Sequence, residues 1–165
     1  MSTPGERTRT VRWGDPRALA EAGRGLSGIE YLRKIAAGEL PRPPMGDLMN
    51  FGLAELAEGR AVFTVEPAEY HYNPIGVVHG GLAATLLDSA MGCAVHSTLP
   101  AGAGYTTLEL KVNFIRAMTV ETGAVRCEAE VVHVGGRTAV AEGRVLDAAG
   151  KLYAHATTTC LIFRP

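Results

Sequence analysis

The residues of this sequence best suited to chemistry are an acidic side chain and a nearby pair of glycines. Asp88 is the only charged residue between Gly80 and Val95, a stretch that otherwise holds apolar, small and hydroxyl residues. A carboxylate enclosed by apolar residues costs free energy. It therefore indicates either a structural role, in which it accepts backbone hydrogen bonds, or a role as nucleophile or general base. The residues themselves leave both roles open.

The glycine pair, Gly80 and Gly81, stands at the predicted start of the same helix. The first N–H groups of a helix have no partner within it and lie at the positive end of its dipole. Glycine places no side chain in front of these donors. They can polarise a carbonyl group as an oxyanion hole, although a glycine pair also serves simply for a tight turn.

Distance along this helix separates the donors from the carboxylate. Gly81 and Asp88 lie on one face but about 10.5 Å apart along the axis, since each residue rises about 1.5 Å. They cannot both reach one carbonyl carbon from a single chain. If both act on the same atom, they come from two antiparallel copies of the helix, which predicts a site at a dimer interface.

Periodicity and turn residues predict the elements that position these groups. The helix runs from about Gly80 to Thr98 and is ended by Pro100 and Gly102. A short hairpin precedes it, with runs over 48–56 and 60–65. Four strands follow as an antiparallel meander, joined by turns at 135–136 and 148–150 in its later part. These strands are predicted over 106–115, 122–134, 137–147 and 151–163.

The first 45 residues are predicted to form a helical extension of the core. Residues 1–14 form a polar arm, and Asp15 with Pro16 begins one broken helix or two short ones. The stretch GELPRPPMG at 38–46 ends any helix and holds the chain extended. We therefore expect an extension over 1–45 and a core domain over 46–165. The apolar stripe of the extension is interpreted as packing rather than a ligand channel; it includes Leu26, Ile29 and Leu32.

Composition limits the partners and the location. The 165 residues carry a formal net charge of -1, so no basic field or polybasic run indicates nucleic acid or a membrane surface as a partner. The three cysteines are widely spaced in apolar patterns, which favours buried free thiols: Cys93, Cys127 and Cys160. With no apolar leader and no long apolar run, we expect a cytoplasmic protein.

The stretch NPIGVVHGGLAATLLDSAMG resembles the signature of hotdog-fold acyl-CoA thioesterases of the phenylacetic-acid-degradation (PaaI) type. That signature has an Asn, an HGG and, nine residues after the His, an Asp, which here are Asn73, His79 to Gly81, and Asp88. The likeness covers about 48–163 and leaves out the extension. It implies an α+β hotdog fold, in which an antiparallel sheet wraps around one long central helix. It also implies hydrolysis of an acyl-CoA by a homodimer or homotetramer, with no cofactor, since CoA is part of the substrate.

The resemblance further implies roles for the signature residues. Asp88 would be the nucleophile or the base that activates water, and the N–H of Gly80 or Gly81 would polarise the thioester carbonyl. Asn73 would position water or the loop. His79 would either bond the thioester oxygen or lock the turn.

Relatives of this type also carry a hydroxyl on the strand after the helix and bind CoA at a hairpin. The hydroxyl falls on Thr107 or Thr106, and the choice stays open. The hairpin backbone would line the pantetheine, with one arginine meeting a phosphate and an aromatic ring beside the ligand. The CoA candidates are Gly135, Gly136, Arg137 and Thr138 of the hairpin, with Phe114 and, as a second phosphate candidate, Arg116.

The same residues argue against other classes of function. The five histidines lack the HxH or HExxH spacing of a zinc site. They are His71, His79, His96, His133 and His155. The sequence also lacks the GxSxG motif of a serine hydrolase. A non-catalytic acyl-CoA binding protein is the main alternative, and a dehydratase is a third, although its motifs are absent. The acyl group stays open among short, medium and aryl chains.

Overall fold

The computed structural model describes residues 5–164 as three short helices followed by a six-stranded antiparallel sheet around one long helix. Residues 1–4 of the predicted polar arm and residue 165 lie outside the described residues. The helices are α1 (Pro16–Ala22), α2 (Gly28–Ala36), α3 (Pro44–Met49) and α4 (Gly80–His96). The strands are β1 (Phe51–Ala57), β2 (Arg60–Val65), β3 (Gly104–Phe114), β4 (Val125–Val134), β5 (Thr138–Asp147) and β6 (Leu152–Phe163).

The long helix α4 is the predicted central helix, and it packs against all six strands. The sheet approaches it closely at Gly143, where an added Cβ would lie 3.0 Å from the side chain of Leu87. A larger residue there would push β5 away from the helix. The helix face toward the sheet is buried and consists of Leu82, Ala83, Leu86, Leu87, Ala90, Met91, Ala94 and Val95.

The strand order is β1-β2-β4-β5-β6-β3, so the predicted meander is correct for β4 to β6 and wrong for β3. β3 pairs with β6, with Thr107 opposite Cys160 and Phe114 opposite Ala154. β2 takes the place beside β4. The alternating pattern identifies a strand but does not say which strand lies next to it, and β3 thus becomes an edge strand.

Of the three short helices that precede the sheet, α2 packs against β1 and the C-terminal end of α4, and α3 packs against β1. α2 begins with a capping box between Ser27 and Glu30. The N–H of Gly28 donates to the carbonyl of Leu99 at 3.0 Å. An added Cβ at Gly28 would overlap the carbonyl oxygen of His96, so only glycine fits where α2 meets the end of α4.

The proline-rich segment departs from the sequence prediction. We expected an extended chain over 38–46, but α3 begins at Pro44, and β1 begins at Phe51 rather than in the run from residue 48. Proline is favoured at the first position of a helix because no partner is needed for the missing N–H. Asn50, whose φ of 57° is left-handed, caps the C-terminal end of α3. The predicted boundary between 45 and 46 therefore falls inside a helix.

Candidate active site

Asp88 lies halfway along α4, on a side that the sheet leaves partly exposed. Its Oδ1 accepts a hydrogen bond of 2.8 Å from the hydroxyl of Thr107. Within residues 5–164, the structure gives this carboxylate no hydrogen bond from a backbone N–H. The arrangement therefore differs from the structural alternative, in which backbone donors would occupy the carboxylate.

The carboxylate faces a cavity of about 390 Å³. The walls are mainly apolar and come from α2, α3, β1, β2, β3 and α4; they include Leu32, Ile35, Met45, Phe51, Phe63 and Tyr105. We interpreted the stripe of the extension as packing, yet Leu32 from that stripe lines this cavity. Periodicity predicts which face of a helix is buried, but it does not predict whether that face contacts other side chains or a cavity.

Cys93 and Tyr105 lie in the same cavity and stay neutral. Burial, followed by the negative charge of Asp88, raises the pKa of the Cys93 thiol to about 12. Burial also raises the pKa of the Tyr105 hydroxyl. Tyr105 packs on Gly92, where an added Cβ would lie 2.6 Å from the phenol oxygen. A protonated thiol is a poor nucleophile, so Asp88 is the better candidate for chemistry.

β3 presents its two adjacent threonines differently. Thr107 lies two residues after Tyr105, on the face toward α4, whereas Thr106 is exposed. A bulge between Thr107 and Glu109 interrupts the regular alternation of the strand. From the sequence the choice stays open, because counting from Asp88 favours Thr106 whereas anchoring on Phe114 favours Thr107. Of the two candidates, Thr107 is the one hydrogen-bonded to Asp88.

The N-terminal end of α4 carries the predicted donors. The Nδ1 of His79 accepts a hydrogen bond of 2.8 Å from the N–H of Gly81, so that donor is used within the loop. For the N–H of Gly80, the described chain offers no hydrogen-bond acceptor. Gly80 packs against the ring of Phe114, 3.1 Å from an added Cβ. Beside it lies a second cavity of about 330 Å³, which Arg116 also lines.

The loop before α4 is fixed by two polar side chains. The Oδ1 of Asn73 accepts hydrogen bonds from the N–H groups of Ile75 at 3.1 Å and Val77 at 3.3 Å. Buried His71 accepts from the N–H of Ala68 at 3.1 Å through Nδ1, which leaves Nε2 to donate to the carbonyl of Met49 at 2.9 Å. Through these contacts Asn73 holds the loop that leads into α4.

The candidate residues thus fall into two groups that do not meet within one chain. Gly80 and Asp88 are about 12 Å apart along the helix axis. On β3, Thr107 and Phe114 are separated by roughly 20 Å. We call the group around Asp88 the carboxylate end and the group around Gly80 the glycine end. The carboxylate end holds Asp88, Thr107 and, across β6, the hairpin residues Gly136, Arg137 and Thr138; the glycine end holds Asn73, His79, Gly80, Gly81 and Phe114.

The hairpin at the carboxylate end is exposed. The N–H of Gly135 donates to the carbonyl of Thr138 at 2.8 Å and closes the turn. Gly136, Arg137 and Thr138 are exposed. Nowhere in the described chain does a carboxylate pair with the guanidinium of Arg137. By contrast, the guanidinium of Arg116 donates to the carbonyl of Leu152 at 2.6 Å.

The part of the chain that the structure describes contains neither a candidate metal site nor a candidate membrane-spanning helix. No three histidine, cysteine or acidic side chains among these residues are grouped so that they could hold a metal ion. None of the described helices combines the length and the apolar character needed to span a membrane.

Comparison with known proteins identifies the family. The model of the family described as "Thioesterase superfamily" matches residues 75–154 of this chain. A conserved protein of solved structure from Pseudomonas aeruginosa is 34% identical, with a TM-score of 0.69 over 74% of this chain and 95% of that chain. The chain belongs to the thioesterase superfamily. Proteins related to phenylacetic acid degradation are among the solved structures with this fold, which confirms the hotdog architecture and the PaaI-type resemblance.

Two relatives show how far the similarity to other members of the superfamily extends. The 1,4-dihydroxy-2-naphthoyl-CoA hydrolase of Listeria monocytogenes is 26% identical over 106 residues, which are 64% of this chain and 85% of that protein. A relative from Halobacterium salinarum is 43% identical over 76 residues, 45% of this chain and only 48% of that protein's length. The chain thus spans about half of the second relative. Membership of the superfamily supports the hydrolysis of thioesters in general.

Proposed function

We propose that this protein hydrolyses acyl-CoA thioesters to a free acid and CoA, at sites shared between two subunits. The observation that carries the proposal is Asp88, a carboxylate at an apolar cavity whose hydrogen-bond partner within the described chain is a single threonine hydroxyl. The naphthoyl-CoA hydrolase among the relatives supports CoA as the thiol part of the substrate.

At the carboxylate end, Asp88 acts on the thioester carbonyl carbon in one of two ways. As a nucleophile it forms an anhydride as the C–S bond breaks, and water then hydrolyses that anhydride. As a general base it takes a proton from the water that attacks the carbonyl carbon, and it returns that proton to the CoA thiolate as the C–S bond breaks, which regenerates the carboxylate. In both cases the Thr107 hydroxyl holds Oδ1 and leaves the other oxygen for the reaction.

At the glycine end, the N–H of Gly80 is the donor that polarises the thioester oxygen. The Gly81 donor is already held by His79, which supports a turn-locking role for that histidine. An N–H at the first position of a long helix is fixed in place and lies at the positive end of the dipole. Such donors stabilise the oxyanion without reorganising during the reaction.

Two subunits bring the two ends together. β3 is an edge strand of 11 residues with one side unpaired, and it exposes large apolar side chains, Leu108 at 57% and Phe114 at 59%. An edge of this kind is a template for pairing with a second copy. In an antiparallel dimer, Gly80 of one subunit lies opposite Asp88 of the other, and Arg137 is available for a CoA phosphate. A tetramer adds a second contact between such dimers.

The test of the function is hydrolysis by Asp88→Asn. Loss of a group that transfers a proton or attacks the carbonyl predicts a fall in kcat/KM of at least about 100-fold across an acyl-CoA panel. Thermal melting checks that the variant folds. Unchanged turnover would assign the chemistry to another base. A wild-type protein that binds but hydrolyses none of the panel would instead be an acyl-CoA binding protein.

A further inference from the structure

Most of the wall of the Asp88 cavity lies outside the part of the chain that matches the superfamily. The match begins at residue 75. The wall includes Leu32 and Ile35 of α2, Met45 of α3 and Phe51 of β1, all earlier in the chain. The match therefore covers the residues proposed for the chemistry, while most of the cavity wall comes from the preceding segments α2, α3, β1 and β2.

The extension is fixed in place by close contacts with the core. Gly28 packs without space for a side chain against the end of α4, and its N–H bonds to Leu99. The ring of Tyr31 lies 5.9 Å from that of His96, and its hydroxyl donates to the carbonyl of Leu19 at 3.2 Å. α2 is thus a rigid wall of the cavity.

We infer that α2 and α3 form the acyl chamber and set the length of the acyl group, which is apolar and of medium bulk. This inference rests on the proposed function. The volume of about 390 Å³ is at the lower end of the range for small-molecule pockets. Each CH₂ buried against apolar walls raises affinity about fourfold. An acetyl group would leave most of the chamber empty, whereas a straight chain of medium length or a single ring would use it.

Ile35 is the side chain that tests this inference, because helix α2 offers a matched control. Ile29 is also half-buried on α2 but is not part of the cavity wall. We expect Ile35→Phe to shorten the chamber and to lower the ratio of kcat/KM for octanoyl-CoA over acetyl-CoA by about 10-fold or more, the usual scale for lost room in an apolar pocket. Ile29→Phe should leave this ratio within about twofold of wild type.

Met45→Ala provides a second variant with the opposite expected sign. The Met45 side chain is half-exposed, so its loss costs little stability. The wider chamber should shift the preferred straight-chain acyl-CoA to a longer one. Assay of phenylacetyl-CoA beside octanoyl-CoA distinguishes a ring from a chain as the natural occupant, and thermal melting checks the fold of each variant.

The outcomes separate this inference from the proposed function. If the wild type hydrolyses acyl-CoA and neither Ile35→Phe nor Met45→Ala changes the length preference, the chamber assignment is overturned and the function stands. If Ile29→Phe changes the ratio of kcat/KM for octanoyl-CoA over acetyl-CoA as much as Ile35→Phe does, the chamber assignment is also overturned. If no thioester is hydrolysed, calorimetry with the stable thioether S-octyl-CoA decides: weaker binding by Ile35→Phe supports the chamber, and equal binding overturns it.

Discussion

The two ends of α4 are built differently by the same chain. At the carboxylate end, α2 and α3 cover the helix and enclose a cavity around Asp88. At the glycine end, Gly81, Ala84 and Thr85 stay partly exposed, and the apolar ring of Phe114 is 59% exposed. One end has a chamber and a carboxylate, and the other has a helix N-terminus with an available donor. This difference is what the proposed shared site requires, since each subunit would supply a carboxylate to one site and a donor to the other.

Gly80→Pro is expected to have the largest effect, since it removes the one donor on which the glycine end depends. Proline is favoured at the first helical position, and His79 before it already has the extended ψ of 133° that proline requires. Losing an oxyanion donor predicts a fall in kcat of about 100- to 1,000-fold.

Gly80→Ala is the matched control for this change because it keeps the N–H. Its Cβ would lie 3.1 Å from the ring of Phe114, so a shift of the ring by a few tenths of an ångström makes room for it. Activity close to wild type is expected. Equal losses in the alanine and proline variants would show that space beside Phe114, rather than the donor, matters at this end.

Thr107→Val is expected to have an intermediate effect at the carboxylate end. The substitution removes the 2.8 Å hydrogen bond to Asp88 but keeps the shape of the side chain. A hydrogen bond to a charged group is worth about 1.5–3 kcal/mol, so kcat should fall about 10-fold or more if the bond holds the carboxylate for attack. Steady-state kinetics beside Thr106→Val, the exposed neighbour, provide the check. A loss in Thr106→Val as large as that in Thr107→Val would contradict the assignment.

The smallest expected effect concerns stability at acid pH. Burial lowers the pKa of His96, near the carboxylate end, and of His71, near the glycine end. Below the ordinary histidine pKa of about 6.5, the unfolded chain binds protons that the folded chain does not, so the free energy of unfolding falls as pH falls.

His96→Phe isolates the contribution of His96, at the carboxylate end, to this loss of stability at acid pH. Phenylalanine keeps a ring between Tyr31 and Tyr105 and cannot titrate. The decrease in Tm from about pH 7.5 to about pH 5 should become smaller by roughly 2–4 °C, the equivalent of 1 kcal/mol in a domain of this size. Substitution of the exposed His133 by Asn should leave the decrease unchanged. An unaltered decrease in His96→Phe would contradict a contribution from His96.

The sequence was sufficient to predict the central helix and the family, for a physical reason. A helix without a polar face must be enclosed, so the one charge within it indicated the site, and helical rise separated Asp88 from Gly81. Strand positions followed from alternation. These features are local, and local features are what residue spacing encodes.

The parts that sequence did not predict depend on contacts between distant segments. The pairing of β3 with β6 cannot be read from alternation, and α3 was missed because prolines that end one helix can also begin the next. The place of Leu32 in the cavity wall was missed because a stripe indicates a buried face without its neighbour. The choice between Thr106 and Thr107 depends on the hydrogen bond between Thr107 and Asp88, which joins two segments that are distant in sequence.

Complementation between two inactive variants tests the central claim most directly. Co-expression of Asp88→Asn and Gly80→Pro with different tags allows the mixed dimer to be purified. In that dimer, one of the two sites takes its carboxylate from the Gly80→Pro subunit and its donor from the Asp88→Asn subunit, and is intact. A two-fold dimer predicts about half of the wild-type activity from two nearly inactive parents. Activity no higher than that of the parents would contradict a site shared between subunits.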